Sequence, residues 1–473
     1  MRQQTKLSCY LYVLTSIMLV STLLVETADA NVYKRRRPKV LSAVSLKLTG
    51  TSQAERMAEC AEKIEQILQA RKRGIMGVCI QTTDNETIFA YQQNQLFKPA
   101  SNLKLITSAV AIETLGADYR YRTDFFIDGT LKDGVLHGNL VLIGSTDPML
   151  SGYFDKTINE VVNAWVDTLR RYGIMKIEGD LILDNSYYVG NRYQPISAEE
   201  IRFATVANFS RANEQQLSKV SRVRVIKTKD GKKRVVRRGF RRKSRLKMVT
   251  IEPNVYCANT LLAALQQAGM MHKDAHVEKI SYSRKIDRTR WKYLYSHYSI
   301  SLAEALKATN KRSDNFYADQ LLRTLGGEYY GEGSIEKGLE VVKEFLKNEV
   351  KVSSKEYKLT DGSGLSHENF VTPHLIVETL RYMREHSKAF HEYYESLAIP
   401  MTDGTLAGRI NHALAHNIRA KTGSITGVVS LSGYLKSRSG KEMYFSIIAN
   451  GLGRRSRHAK ALEDTICKLL LEI

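Results

Sequence analysis

The chain reads as an α/β protein: an antiparallel sheet flanked by helices, assembled from both ends of the polypeptide, with a strand-rich domain inserted between them. Three observations predict this. Helix-spaced apolar residues occur near both termini, short strand-like runs lie just inside them, and the middle of the chain changes texture to brief apolar runs broken by Gly and Asp. The expected parts are a leader at 1–30, a discontinuous α/β domain at 45–120 and 297–473, and the inserted domain at 121–296. A length of 473 residues suits more than one domain at roughly 150 residues each. With 43% hydrophobic and 25% charged residues, 7 Pro and 30 Gly, collagen-like and Pro-rich disordered classes are excluded.

Met57, Ala58, Ala61, Ile64 and Leu68 recur at three- and four-residue steps and predict a helix over 52–72. Gly74–Gln81 is a short apolar strand, Thr82–Glu86 a turn and Thr87–Gln92 the return strand. Pro99 introduces a helix from about Ser101 to Leu115, which Gly116 ends. Its apolar positions Leu105, Ile106, Ala109, Val110 and Ile112 spread around more than one face, so this helix is largely buried. In the inserted stretch, Gly138–Gly144 and Gly179–Asp184 are strand candidates. Helices are expected again at Ile300–Lys311 and Asp314–Leu325, the second stopped by Gly326-Gly327. The strands Gly427–Lys436 and Glu442–Ala449, joined by the turn at 437–440, precede a last helix at Ser456–Leu471.

The formal charge is +22, and its excess is local. Residues 219–247 hold fifteen Lys/Arg against the single acid Asp230, which is +14 of the total. This run is a solvated arm or an electrostatic contact with an anionic envelope polymer or membrane surface. Nucleic acid is not expected, because only Phe240 supplies an aromatic there. Residues 1–30 read as an export signal: Arg2 and Lys6 precede an uncharged run from Leu7 to Val25, and Ala28-Asp29-Ala30 fits a small-x-small cleavage site. The same run is long enough to anchor the chain if it is retained, and the basic Lys34–Lys39 cluster keeps that alternative open. The expected location is periplasmic. Cys60, Cys79, Cys257 and Cys467 match no zinc spacing and are expected as buried free thiols, a Cys60–Cys467 bridge being the alternative. No H-E-x-x-H or phosphate-loop motif is present, so neither a metal nor a cofactor is expected.

The chemistry lies in three short motifs: Ser101-Asn102-Leu103-Lys104, Ser313-Asp314-Asn315 and Lys421-Thr422-Gly423. Residues three apart share a helix face, so Ser101 at the start of a buried helix has the Lys104 amine beside it. A hydroxyl becomes a nucleophile when a base takes its proton, and a lysine serves only if burial or nearby positive charge lowers its pKa. Lys421 is placed to supply such charge. S-x-x-K also occurs at Ser244, within the basic run, and at Ser334, where Glu336 adjoins the lysine. Only Ser101 opens a buried helix.

In this order the motifs identify a likeness to penicillin-binding proteins and serine β-lactamases. With Lys98–Lys104, Gly144–Pro148, Lys311–Asn315, Asp361–Ser366, Asp403–Leu406 and Lys421–Ser424, the chain from about residue 50 onward resembles the D-alanyl-D-alanine carboxypeptidase/endopeptidase family of class C low-molecular-mass penicillin-binding proteins. The basic stretch 219–247 has no counterpart in that likeness. The resemblance implies a transpeptidase-like catalytic fold and a serine acyl-enzyme that trims or cleaves peptidoglycan stem peptides, with β-lactams as inhibitors. It implies Ser101 as nucleophile, Lys104 as base, Ser313 as proton relay, Asn315 as holder of the acyl side-chain amide, and an oxyanion hole from the Ser101 and Ser424 N–H groups. It further implies that Lys421, Thr422 and Ser424 bind the terminal carboxylate, with Gly423 within that substrate-binding strand. The 361–366 loop is expected at the site rim or as a Gly-rich turn, and Asp147 as a turn carboxylate, a substrate contact from the inserted domain being the alternative. A β-lactamase or esterase on the same fold, and a non-catalytic polymer-binding module, are the alternatives.

Overall fold

The computed structural model describes residues 45–69, 74–144, 147–148, 158–186, 224–227, 233–236, 253–280, 287–453 and 456–473. The leader at 1–30, the Lys34–Lys39 cluster and most of 219–247 lie outside the described residues.

A two-residue alternation builds the first sheet. In β15 (Glu442–Asn450), Met443, Phe445, Ile447 and Ala449 point to one face, and Tyr444 and Ile448 to the other; all are buried. A strand apolar on both faces needs cover on both sides. Helices α1 (Gln53–Gln69) and α10 (Ser456–Leu471) cover one face, where Ile64, Leu68, Leu462 and Ile466 pack. The other face receives α2 (Leu103–Leu115) and, later in the chain, α6 (Asn315–Tyr330), α7 (Ile335–Asn348) and α8 (Pro373–Glu385). The antiparallel sheet runs β13 (Ile418–Ile425), β14 (Val428–Lys436), β15, β1 (Ile75–Thr82) and β2 (Thr87–Tyr91). The two ends of the chain thus share one sheet.

A second, mixed sheet has the order β10 (Lys292–Tyr298), β3 (Arg122–Lys132), β4 (Val135–Gly144), β6 (Leu181–Asp184) and β9 (Val277–Ile280), with β5 (Lys176–Ile177) beside β4. The domain boundary drawn at 296/297 falls inside β10. Strands are only part of this region. Helices α3 (Ile158–Arg171) and α4 (Pro253–Gln267) cover one face, with Val162, Trp165, Leu169, Leu261 and Leu265 in the core. The i, i+4, i+7, i+11 spacing of Ile158, Val162, Trp165 and Leu169 is a helix signal that a reading of this stretch as strand-rich passes over. Within the basic run, β7 (Arg224–Lys227) and β8 (Lys233–Val236) form an antiparallel pair.

Two expectations about helix ends are corrected. Helix α6 runs through Gly326-Gly327 to Tyr330 and stops at Gly331, a left-handed C-cap. Gly326 marks close packing: a Cβ on it would lie 2.9 Å from the Gly338 nitrogen, and one on Gly338 of α7 would lie 1.9 Å from the Leu322 carbonyl oxygen. The helix expected at 300–311 is α5 (Leu302–Lys307) followed by one π-helical turn at Ala308–Arg312. The four described cysteines are free and buried.

Candidate active site

Ser101 sits in a 3₁₀ turn, Ala100–Asn102, which runs directly into α2. Leu103 to Ile112 of that helix are all buried, as their all-round apolarity predicts. The turn is tightly placed. Ala100 is left-handed at φ 48°, and Gly364 packs against it so closely that a Cβ there would lie 1.8 Å from the Ala100 carbonyl oxygen. With its own φ of 77°, position 364 has no room for a side chain.

One helical turn on, the fully buried Lys104 Nζ donates to Ser101 Oγ (3.1 Å), Asn315 Oδ1 (2.7 Å) and the Ser363 carbonyl (2.7 Å), using its three donors. Burial lowers its pKa to about 8, against the opposing pull of Asp319, Asp314 and Asp361. Ser313 follows the π-helical turn in a left-handed conformation (φ 65°). Such a residue outside glycine costs of order 1–3 kcal/mol and collects at functional sites. Asp314 caps α6 by accepting from the Tyr317 N–H (2.8 Å), which fixes Asn315 in the first turn beneath Lys104.

Lys421 comes from β13, a strand of its own ahead of the expected hairpin. It is fully buried, and its Nζ donates to Ser313 Oγ (2.9 Å) and the Thr422 carbonyl (2.8 Å). Burial, and then the neighbouring Lys104, push its pKa well below the ordinary lysine value. Gly423 lets this strand lie against the nucleophile: a Cβ there would be 2.2 Å from Ser430 Oγ and 2.9 Å from the Ser101 nitrogen. Thr422 is half-buried with its hydroxyl on that of Thr405 (2.6 Å), and Ser424 is exposed at the end of the strand. Ser101, Lys104, Ser313, Asn315 and Lys421 therefore form one connected cluster drawn from three distant segments, bordered by Thr422 and Gly423.

The other two S-x-x-K matches are apart from it. Ser334 caps α7 by accepting from the Lys337 N–H (3.1 Å), a purely helical use of the spacing. Ser244 lies outside the described residues.

Several contributors carry no motif signal. Asn102, fully buried, joins α2 to the sheet: with its amide oriented to satisfy both ends, Nδ2 donates to the Lys421 carbonyl (2.8 Å) and Ser430 Oγ (3.2 Å), while Oδ1 accepts from Ser432 Oγ (2.6 Å). Asp319 lies one turn after Asn315, which alone was a hint. It accepts from the Gly362 N–H (3.0 Å), and its Oδ2 is buried without a hydrogen-bond partner. Burial and the adjacent Asp361 raise its pKa to about 7, with Lys104 opposing. The 361–366 loop lies beneath the site instead of at its rim: Asp361 accepts from the Gly364 and Ser366 N–H groups (2.6 and 2.7 Å), and this folds Ser363 under Lys104. Asp147 is buried, beside Asn254 and Cys257. Among the described residues no group of three His, Cys, Asp or Glu is placed to hold a metal ion.

The sequence matches the D-Ala-D-Ala carboxypeptidase 3 (S13) family over residues 60–201 and 195–472. The chain belongs to that family. It is similar to the D-alanyl-D-alanine carboxypeptidase of an Actinomadura species, 28% identical over 92% of this chain and 88% of the relative. It is also similar to the D-alanyl-D-alanine carboxypeptidase DacB of Haemophilus influenzae, 26% identical over 78% of this chain and 83% of the relative. The fold matches the crystal structure of penicillin binding protein 4 from Haemophilus influenzae with a TM-score of 0.68, at 23% identity over 87% of this chain and 99% of that one. This family member is a D-Ala-D-Ala carboxypeptidase, a peptidase hydrolase, in line with the first of the three readings.

Proposed function

We propose that Ser101 is the nucleophile and Lys104 its base in the hydrolysis of D-Ala-D-Ala bonds of peptidoglycan stem peptides. One observation carries this assignment: the Lys104 Nζ is 3.1 Å from Ser101 Oγ in a buried setting that brings its pKa down to about 8. The Ser101 proton passes to Lys104 Nζ as Oγ attacks the carbonyl between the two D-alanines. The C–N bond then breaks. The proton that Lys104 took is returned to the leaving amine through the Ser313 hydroxyl, which Lys421 Nζ holds in place, and water later hydrolyses the ester. Asn315 holds the acyl side-chain amide. The Ser101 and Ser424 N–H groups cradle the oxyanion, a contribution typically worth about 10²–10³ in rate per donor. The close seating of Gly423 against Ser101 supports this pairing of turn and strand.

The leader at 1–30 supports a periplasmic location, and the chain order of the two sheets supports a catalytic domain at 45–120 and 297–473 with 121–296 inserted. The +14 run at 219–247 supports electrostatic contact with an anionic envelope polymer. Removing 219–247 is expected to abolish salt-sensitive retention on an anionic polysaccharide while leaving hydrolysis of a soluble peptide unchanged; retention that persists overturns the contact.

Labelled penicillin tests the chemistry. A stable adduct on Ser101, absent in Ser101→Ala, is expected, and peptidoglycan digestion should release D-alanine or uncrosslinked stems. An adduct that survives Ser101→Ala overturns the assignment, and rapid turnover of the drug favours a β-lactamase.

A further inference from the structure

Thr405 stands at the edge of the site beside Thr422; its stretch, Asp403–Leu406, belongs to the family likeness, but none of the three motifs gives it a role. It is exposed, yet its position is over-determined. The preceding Asp403 accepts from Lys311 Nζ (2.6 Å), two residues before Ser313, and from the Ile399 N–H (2.9 Å). Gly404, at φ 55°, lies so near the Lys311 backbone that a Cβ would be 2.6 Å from its carbonyl oxygen. Ala398 pairs with Ala420 of β13 as an isolated bridge, so the loop is tied both to the Ser313 segment and to the strand that carries Lys421. This framework presents the Thr405 hydroxyl 2.6 Å from that of Thr422.

Two hydroxyls bring two protons, and their mutual hydrogen bond uses one. Whichever oxygen donates, one O–H of the pair remains, on the exposed Thr405 or the half-buried Thr422, next in the chain to Lys421, whose Nζ donates to Ser313 and the Thr422 carbonyl. A paired hydroxyl donor beside a lysine is a receptor for an anion with two oxygens.

We propose that Thr405 binds substrate directly: with Thr422 it receives the free carboxylate of the leaving D-alanine, and so selects peptides that carry a carboxylate next to the scissile amide. This rests on the reading of Ser101 as nucleophile and adds a contact from a segment outside the three motifs. Binding exchanges the Thr405–Thr422 hydrogen bond for two hydroxyl–carboxylate bonds. A hydrogen bond to a charged group is worth about 1.5–3 kcal/mol, or roughly a ten- to hundredfold change in affinity.

The test pairs a stem peptide ending in D-Ala-D-Ala with the same peptide carrying a C-terminal amide. Each is measured as a substrate and as a competitor of penicillin acylation, in the wild type, Thr405→Val and Thr405→Ser. Thr405→Val should weaken the acid about tenfold or more in kcat/KM and in competition, leave the amide within about twofold, and Thr405→Ser should restore the acid. Equal losses for acid and amide mean that Thr405 only positions the loop, and no loss means that it touches nothing; either overturns the proposal. A wild type that takes no penicillin on Ser101 and cleaves neither peptide would instead contradict the nucleophile assignment.

Discussion

Lys104 and Lys421 are both fully buried, yet their surroundings differ. Lys104 lies on a helix, spends all three donors, and faces three carboxylates from α6 and the 361–366 loop. Lys421 lies on a strand, donates to one hydroxyl and one carbonyl, and has Lys104 as its electrostatic neighbour. Burial lowers both, but the acids hold Lys104 near 8, within reach of neutral pH, while Lys421 is pushed well below the ordinary lysine value by burial and by Lys104. The contrast teaches that one cleft can hold two buried lysines in different electrostatic settings, one countered by carboxylates and one facing another lysine. Lys104 serves Ser101. Lys421 gains an opposite charge when an anionic substrate arrives, and such a charge favours its protonated form.

The largest effect that would break this division is on Lys104 itself. Lys104→Met, of similar length and apolar, should lower the rate of penicillin acylation by about 10³, within the usual range for a lost general base. Lys421→Met should keep measurable acylation and lose mainly discrimination for the carboxylate; stopped-flow acylation of both variants checks the ranking. Next comes the support of the Lys421 strand. Asn102→Ala leaves the Lys421 carbonyl and the Ser430 and Ser432 hydroxyls short of a partner, so it should cost about 1–3 kcal/mol of stability, read as a lower urea midpoint. The smallest effect falls on the acids around Lys104. Asp319→Asn keeps an acceptor for the Gly362 N–H but removes the negative charge that favours protonated Lys104. The neutral base then persists to lower pH, and the acid limb of the acylation profile should move down by up to about one unit. A profile that moves up, or stays, removes Asp319 from the account.

Legibility in the sequence followed the same line. Ser101 and Lys104 were visible because a three-residue spacing coincided with a helix whose apolar residues covered every side. Asn315 and Lys421 stood in short motifs of fixed order. Asn102 was hidden inside the first motif as an unspecified position; its role depends on β14 lying beside the turn, which no local pattern states. Ser363 acts through its carbonyl, so its side chain gives no clue. Gly326-Gly327 reads as a stop because glycine more often ends helices than packs them, and the approach of α7 to Gly326 reverses that meaning. In the inserted region the strand signals at Gly138–Gly144 and Gly179–Asp184 overlap β4 and β6, while α3 has a clean amphipathic spacing amid stretches broken by Gly and Asp.

The central claim, that Lys104 in its neutral form takes the Ser101 proton, is tested most directly by the second-order rate of wild-type acylation by a penicillin from pH 5 to 9. With a base of pKa about 8, the rate should climb about tenfold per unit from pH 5 to 7 and level off above about 8. A rate that is already level at pH 6, with the protein folded throughout, would contradict it.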